Sequence, residues 1–321
     1  MSKITQSVLE QVETFRKPNG YILSQENPIY CPQVNGLTNI CLSEFGLFYV
    51  AKKNAQDFFN SPSFNPMRGL FHREVGSDGE IVEPSFNSCK NSVFSLGLAS
   101  SMVMNEAREI MRRLEDSPAY IKDEGLFGRE YNPESGELNP LLITQSNLWA
   151  ALAYSSIGED CKTSEIMHNL KGVRYDSKMG LFNSQDCRCG NYFSRFFADD
   201  QALAALTYSK IGESGKAQRL MKSVLESKFY DKDSGLFNSS LSNSDIDETK
   251  STYKNSLMAL ALGKLTYEKK LGRVQDGLVR ELYDPSENLF CQTTKDQTKV
   301  PDNSALALVA LEYDNIEHLV F

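Results

Sequence analysis

Two adjacent aspartates, Asp199 and Asp200, are the residues of this chain whose types and spacing best suit acid–base chemistry. They follow two aromatic residues, Phe196 and Phe197, and precede a run rich in alanine and leucine. Adjacent acids in an apolar site do not both ionise easily, so the pKa of one of them should rise. The free amides at a helix start favour a charge on the other. The pair therefore predicts one proton donor beside one charged carboxylate, and the alternative is a helix cap beside a solvated rim residue.

Further candidates come from the neighbourhood of this pair and from equivalent places in the chain. Asp302 is the candidate second carboxylate, so the predicted catalytic residues are Asp199, Asp200 and Asp302. Arg195 could hold a substrate anion or lower the pKa of a neighbouring acid. The predicted substrate-binding residues are Tyr192, Arg195, Phe197, Trp149, Lys90, Tyr253, Lys254 and His72, of which His72 follows a turn and could instead be structural.

A repeated phrase that ends in Gly-Leu-Phe determines which elements must position these residues. It recurs about every 55 residues, which is the signature of a repeat architecture. A degenerate copy lies at residues 18–22. The clear copies end in Gly69-Leu70-Phe71, Gly125-Leu126-Phe127, Gly180-Leu181-Phe182, Gly235-Leu236-Phe237 and Asn288-Leu289-Phe290. Because glycine tolerates a left-handed backbone, each phrase predicts a turn at the end of a helix.

A second repeat, out of phase with the first, opens a series of apolar runs. The runs are apolar nearly all round, as buried helices are, and most are followed by an amphipathic helix such as residues 217–228. Each unit is therefore a buried helix, an exposed helix and a turn. The runs open at Asn39, Asn91, Asn147, Asp200, Asn255 and Asn303, and we expect the five asparagines among them to cap their helices.

The position just before this cap varies, and a purely architectural position would tend to keep one residue type. The residues at this position should surround the mouth of a central cavity. They either form a cluster of charges around a substrate or are rim residues exposed to solvent. They are Thr38, Lys90, Ser146, Asp199, Lys254 and Asp302.

The two ends of the chain predict a closed ring. Residues 4–16 form a lone amphipathic helix and residues 303–313 a lone buried one, so together they complete a sixth hairpin. The predicted fold is all-α, an (α/α)6 toroid with residues 1–321 as a single domain. The first unit is short between Asn39 and Gly69, which predicts an abbreviated exposed helix.

The composition of the chain limits the kinds of molecule that this protein is expected to bind. The net charge of −8 argues against nucleic acid, and no apolar run is long enough to span a bilayer. Seven cysteines without framework spacing favour a reducing, cytoplasmic location. We expect no metal, because Cys187-Arg188-Cys189 lacks zinc-site spacing and residues 245–248 suit a solvated acidic loop. We also expect no cofactor and a small-molecule substrate, and the sequence does not settle the oligomeric state.

Two resemblances converge on the Asp-Asp segment. The helix start Asp199-Asp200-Gln201-Ala202 resembles the Asp-X-Asp-Asp-Thr-Ala segment of class II terpenoid cyclases, with Phe197 for the first Asp and Gln201 for Thr. That resemblance implies that Asp199 protonates an alkene or epoxide. The stretch also resembles the Trp-Ala-Asp-Asp opening of unsaturated-glycuronyl hydrolases in the six-hairpin glycosidase group, which implies an Asp general acid. The repeated turns are more typical of the six-hairpin glycosidases and sugar epimerases.

Aromatic composition then favours the first of these readings. The chain has one Trp against 18 Phe and 14 Tyr, whereas sugar clefts usually stack pyranose rings on several indoles. An aromatic cavity poor in Trp suits an apolar substrate with a cationic intermediate. The sequence therefore predicts an acid-triggered cyclase. A glycoside hydrolase, glycuronyl hydrolase or sugar epimerase is the alternative, and a non-catalytic binding toroid is a third possibility.

Overall fold

In the computed structural model, residues 3–14, 29–76, 79–184, 195–242 and 245–313 are described. Two sets of helices alternate along this part of the chain. The inner set is α2 (Pro32–Glu44), α4 (Ser88–Ser100), α6 (Thr144–Ser156), α8 (Ala198–Lys210), α10 (Thr252–Lys264) and α12 (Pro301–Leu311). The outer set is α1 (Lys3–Thr14), α3 (Phe48–Phe59), α5 (Met104–Asp116), α7 (Asp160–Arg174), α9 (Ser214–Glu226) and α11 (Glu268–Leu282).

The inner helices form a closed ring. Each packs against the next inner helix along the chain, and α12 packs against α2. The helix α1 packs on α12, and Thr5 Oγ1 donates a buried hydrogen bond of 2.5 Å to Glu312 Oε1. The predicted (α/α)6 toroid is confirmed. The expectation of an abbreviated first outer helix is wrong, because α3 has 12 residues and α5 has 13.

Short antiparallel strands connect the helices. Two-stranded hairpins are β2 (Phe64–Asn65) with β3 (Leu70–Phe71), β10 (Tyr175–Asp176) with β11 (Leu181–Phe182), and β15 (Tyr283–Asp284) with β16 (Leu289–Phe290). One larger sheet contains β1 (Ile29–Tyr30), β4 (Glu74–Gly76) and β5 (Ile81–Glu83), and another β12 (Arg195–Phe197), β13 (Ser240–Ser242) and β14 (Ile246–Asp247). The remaining sheet contains β6 (Phe86–Asn87), β7 (Tyr120–Ile121), β8 (Leu126–Tyr131) and β9 (Leu138–Leu142).

The Gly-Leu-Phe phrase ends these small hairpins, which corrects the expectation that it ends helices. In the third copy, Tyr175 pairs with Phe182 across the hairpin, and their rings lie 5.2 Å apart. The intervening Gly180 has φ +69°, so the left-handed conformation itself is as expected. Each hairpin thus buries one phenylalanine between the two helix rings, and these phenylalanines are Phe71, Phe127, Phe182, Phe237 and Phe290.

An amide side chain at the fourth position of an inner helix bonds four of the five turn phenylalanines to the ring. In α6, Asn147 Oδ1 accepts from Phe127 N at 2.8 Å, and Asn147 Nδ2 donates to Phe127 O at 3.0 Å. Such a two-way bond satisfies a buried peptide group that would otherwise be unpaired. We call this set the amide clamp, and it consists of Asn91 on Phe71, Asn147 on Phe127, Gln201 on Phe182 and Asn255 on Phe237.

The amide clamp overturns the prediction that the repeated asparagines cap their helices. Each inner helix begins three residues before its clamp residue, so Asn91, Asn147 and Asn255 lie inside the first turn. In α8 the equivalent residue is Gln201 rather than Asp200, and in α12 it is Ser304 rather than Asn303. The predicted Asn39 is the eighth residue of α2, where its Oδ1 accepts from Asn54 at 2.6 Å.

No helix in the described part of the chain is both long enough and apolar enough to cross a membrane.

Candidate functional site

The second residue of each inner helix lies at the same end of the ring. In α6 and α10 this position faces the axis, as a contact between these two helices shows. From α6, Gln145 Nε2 and Trp149 Nε1 donate to Tyr253 OH of α10, at 3.4 and 3.2 Å, although α8 lies between these helices. The residues at the second position are Gln33, Cys89, Gln145, Asp199, Tyr253 and Asp302.

Asp199 is the acid at the centre of this arrangement. Only 4% of its surface is exposed. Its Oδ2 accepts a hydrogen bond of 2.6 Å from Gln145 Nε2 of α6, and its Oδ1 lies 3.5 Å from Lys254 Nζ of α10. The carboxylate is therefore held from both sides, by a neutral donor and by a cation. A buried charge needs such partners, because it has lost its water.

Asp200 follows directly and has a different environment. It is 1% exposed, and burial raises its pKa well above the usual range of an aspartate. The charge of Asp199 raises it further, whereas Ser184 and Lys254 oppose the shift. Neither oxygen has a hydrogen bond of normal geometry with the described residues, although the Ser184 hydroxyl is near enough to lower the pKa. Burial and the neighbouring charge thus favour the protonated form of Asp200.

The ring of Phe197, next to Asp199 and Asp200, contacts two cationic side chains. It ends β12, immediately before α8. Lys254 Nζ lies 4.2 Å from the centre of its ring, and the guanidinium carbon of Arg195 lies 5.3 Å away. Arg195 Nε also donates to Ser240 Oγ at 3.1 Å. The structure therefore brings Arg195, Phe197 and Lys254 together beside Asp199, and Trp149 and Tyr253 join them through Gln145.

Lys90 and His72 lie in the first two units and make local contacts. Lys90 Nζ donates to Glu74 Oε1 at 3.0 Å and to the carbonyl of Arg73 at 3.3 Å. His72 is 5% exposed, its Nδ1 lies 2.8 Å from Pro84 O, and its ring stacks on Phe86. Neither contact set reaches Asp199, so the position of His72 suits the structural alternative.

Two predicted residues cannot be placed. Tyr192 lies outside the described residues, as do Cys187 and Cys189, and the side chain of Asp302 is likewise not described. The backbone places Asp302 at the second position of α12, equivalent to Asp199 in α8. Within the described residues, no group of three His, Cys, Asp or Glu side chains could hold a metal ion.

Sequence reasoning missed Gln145 and Cys89. Cys89 is 8% exposed, and burial raises the pKa of its thiol to about 12, with Asp199 and Asp200 adding to the shift. Both residues share the second position of their helices with Asp199. Aligning the repeats on the amide that bonds each turn phenylalanine, rather than on the first Asn or Asp, would have found them.

The described residues around Asp199 are both polar and aromatic, because Gln145 and Lys254 lie there together with Phe197 and Tyr253, whereas we expected a cavity walled by Phe and Tyr. The expectation assumed that the many phenylalanines line the cavity. Instead, the turn phenylalanines and others such as Phe58 and Phe94 are fully buried, and the centre of the Phe71 ring lies within 5.0 Å of the centres of both rings. Composition misled because it counts aromatic residues without separating the core between the rings from the axis.

Comparison with known proteins adds a result at the level of fold. No protein-family model matches the chain, and its sequence does not significantly match any curated protein. Solved structures do match along nearly the whole length. A cellobiose 2-epimerase from Bacillus thermoamylovorans superposes with a TM-score of 0.81 at 8% identity, over 96% of this chain and 98% of that one.

Two further structures bear names of sugar-converting enzymes. A D-mannose isomerase gives a TM-score of 0.77 at 11% identity, over 96% of this chain and 95% of the other. A GH76 α-mannanase from Bacteroides thetaiotaomicron gives 0.70 at 10% identity, over 98% and 96%. The chain shares its fold with these proteins. The resemblance to six-hairpin glycosidases is supported, and the prediction of a terpenoid-type cyclase is wrong.

Proposed function

We propose that this protein is a carbohydrate-active enzyme that uses Asp199 as its catalytic carboxylate. One observation carries the proposal: a buried aspartate at the axis is held at 2.6 Å by Gln145 and at 3.5 Å by Lys254, which come from two different helices of the ring. Maintaining a charged group in a buried place requires this support. Strongly supported acids beside a perturbed partner are typical of catalytic sites.

The neighbouring acid supplies the other half of the chemistry. In glycoside hydrolysis, a carboxylic acid protonates the leaving oxygen while a carboxylate assists at the anomeric carbon. Asp199 is the carboxylate in this proposal, since it faces Lys254. Asp200 retains a proton to higher pH, and Asp302 occupies the equivalent position in α12, so these two residues are the candidate proton donors.

The surroundings of Asp199 suit a sugar because they offer hydrogen-bonding groups at fixed positions. Gln145, Tyr253 and Lys254 can each donate to a hydroxyl, and their own contacts hold them in place. Trp149 is fully buried, and its indole N–H holds Tyr253 in place by donating a hydrogen bond to the phenol oxygen. A few polar groups held by a rigid scaffold are what gives a small-molecule site its orientation and specificity.

Sugar epimerisation or isomerisation is the second candidate reaction. Two residues of α10 favour this reaction, because Lys254 and Tyr253 both carry exchangeable protons. Lys254 contacts Asp199 directly, and Tyr253 is connected to it through Gln145. Removal and return of a proton beside a carbonyl needs a base and a proton donor within hydrogen-bond reach of the substrate. The structures that share the fold include both kinds of protein by name.

Product analysis separates these reactions. Wild-type protein would be incubated with reducing disaccharides, manno-oligosaccharides, monosaccharides and unsaturated uronic-acid disaccharides. New reducing ends would show hydrolysis, and a new epimer or ketose with deuterium taken up from D2O would show proton transfer at carbon. Asp199→Asn should lose either activity while its melting temperature stays close to that of the wild type.

Two comparisons make this test decisive. Asp200→Asn and Asp302→Asn identify the proton donor, because only the variant lacking the donor should regain turnover on a substrate with an activated leaving group. Asp276→Asn is the control, since it makes the same chemical change at an exposed residue of the outer helix α11. If Asp199→Asn converts any of these sugars at the wild-type rate, the assignment of Asp199 is wrong.

A further inference from the structure

The outer wall of the toroid contains two equivalent grooves with opposite charge. One lies between α5 and α7 and the other between α7 and α9. Their equivalence follows from the buried faces of these helices: Ala107, Ile110, Met111 and Leu114 of α5 correspond one by one to Thr163, Ile166, Met167 and Leu170 of α7, with a constant offset of 56 residues. On this alignment, Lys171 of α7 replaces Glu115 of α5.

In the α5/α7 groove, acidic residues neutralise a lysine. Lys162 Nζ lies 2.9 Å from Glu115 Oε1 and 3.3 Å from Glu165 Oε2, and it donates to Tyr120 OH at 2.6 Å. Tyr154 OH donates to Glu115 Oε2 at 3.0 Å. The charges and hydroxyls of this groove are therefore satisfied by each other.

In the α7/α9 groove the same positions carry cations. Lys216 is the third residue of α9, as Lys162 is of α7, and Arg219 is the sixth residue, where α7 has Glu165. With Lys171 in place of Glu115, three cations replace one lysine and two glutamates. Lys216 pairs with Glu213 at 2.6 Å, and no ion pair of Lys171 or Arg219 is found among the described residues.

This groove is also open. A cavity of about 490 Å³ is lined by His168, Lys171, Tyr208 and Lys216, and its wall also contains Glu165, which pairs with Lys162, and Glu213, which pairs with Lys216. A smaller one of about 50 Å³ is lined by Lys171, Lys216 and Arg219 together with Tyr175 and Tyr208. The aromatic rings form the wall behind the cations, since Lys171 Nζ lies 5.6 Å from the ring of Tyr175 and Lys216 Nζ lies 5.5 Å from that of Tyr208.

We propose that the α7/α9 groove is a binding site for the phosphate group of a small phosphorylated molecule. Ammonium and guanidinium groups that converge on one pocket are the side chains that bind phosphate oxygens in proteins. The larger cavity leaves room for the organic part of the ligand beside the phosphate. In the next groove, Leu225 of α9 stands at the position of Lys171, so the three-cation arrangement belongs to α7/α9. The site is separate from Asp199, and it does not depend on the proposed activity.

Calorimetric titration at low ionic strength tests the proposal. The probes are glucose 6-phosphate, inorganic phosphate and unphosphorylated glucose, with sodium chloride as the ionic control. We expect wild type to bind glucose 6-phosphate and the double variant Lys171→Glu/Arg219→Glu to bind it at least ten-fold more weakly. This double variant places glutamates at the positions that Glu115 and Glu165 occupy in the α5/α7 groove. It should therefore remain folded with an unchanged or higher melting temperature.

A charge-matched variant completes the experiment. Lys52→Glu/Lys53→Glu makes the same change in net charge at two exposed positions of α3, and it should bind like the wild type. Equal binding of inorganic phosphate would support the site and identify the phosphate group alone as its ligand. The proposal is overturned if both double variants bind alike, or if glucose 6-phosphate binds wild type no better than glucose.

Discussion

Two sets of residues in the first turns of the inner helices behave in opposite ways. At the fourth position, an Asn or Gln recurs from α4 to α10 and bonds the same atoms of a turn phenylalanine each time. At the second position, the six helices carry four residue types, Gln, Cys, Asp and Tyr, and Gln145 and Tyr253 contact each other across the axis. Repetition therefore marks the contacts that build the ring, and variation marks the surface that the ring encloses.

The contrast is sharpest in α8, where three consecutive residues have three environments. Asp199 is bonded to side chains of α6 and α10, whereas Asp200 is buried without a normal hydrogen bond to any described residue. Gln201 bonds both backbone atoms of Phe182 at 2.8 Å. Substitutions at these positions should therefore separate activity, pH dependence and stability.

The largest effect is expected at Asp199. Asp199→Asn should lower kcat/KM on the sugar substrate by about 10²–10⁴-fold, the usual contribution of a positioned acid or base. The free energy of unfolding should change little, because asparagine retains the shape and can still accept from Gln145. Steady-state kinetics and urea unfolding of the same preparation check both parts. If Asp199→Asn lost both activity and stability, Asp199 would behave as a structural residue, as Gln201 is expected to do.

Gln201→Ala should have the opposite profile. It leaves the buried N–H and C=O of Phe182 without their partner, and each such group costs about 1–3 kcal/mol. We expect a loss of about 2–4 kcal/mol in urea unfolding, with kcat per folded molecule nearly unchanged. Asn147→Ala, which breaks the equivalent clamp on Phe127, should behave alike. A stability loss below about 0.5 kcal/mol in both variants would show that the clamp is not structural.

Asp200 should determine how stability varies with pH. Its pKa in the folded protein is raised, so folding takes up a proton above the unfolded pKa of about 3.9. Its contribution is fully present below that pH and is lost as pH rises through the folded pKa, by about 1.4 kcal/mol per pH unit. Asp200→Asn should therefore stabilise the protein, and the gain should grow between pH 4 and neutrality. A gain independent of pH in this range would contradict a raised pKa.

Trp149→Phe should have the smallest effect. It removes the 3.2 Å hydrogen bond from the indole Nε1 to Tyr253 OH, which is worth about 0.5–1.5 kcal/mol, and it leaves the apolar contacts largely in place. We expect a small loss of stability and a few-fold rise in KM, measured by chemical unfolding and initial rates. Tyr253→Phe removes the same bond from the other side and also the contact with Gln145, so it should lose at least as much stability and raise KM further. If Trp149→Phe matched Asp199→Asn in activity, the indole itself would contact the reacting group.

The sequence by itself determined the architecture. The period of the Gly-Leu-Phe phrase, the alternation of buried and amphipathic helices and the two unpaired end helices were sufficient to predict the closed toroid. These features recur because each unit makes the same local contacts, such as the pairing of Tyr175 with Phe182, and local contacts are encoded by neighbouring residues. The sequence also singled out Asp199 and Asp200 as the acids to examine.

Only the tertiary structure decided the register and the surroundings of the site. In α8 the clamp residue is Gln201, whose longer side chain bonds the same two backbone atoms that asparagine bonds in other units. Matching the repeats by residue type alone therefore assigned this position to Asp200. The partners of Asp199 come from residues 54 and 55 positions away, Gln145 and Lys254, because ring closure brings three helix starts together. Contacts of this kind depend on the packing of whole helices, which no local pattern in the sequence records.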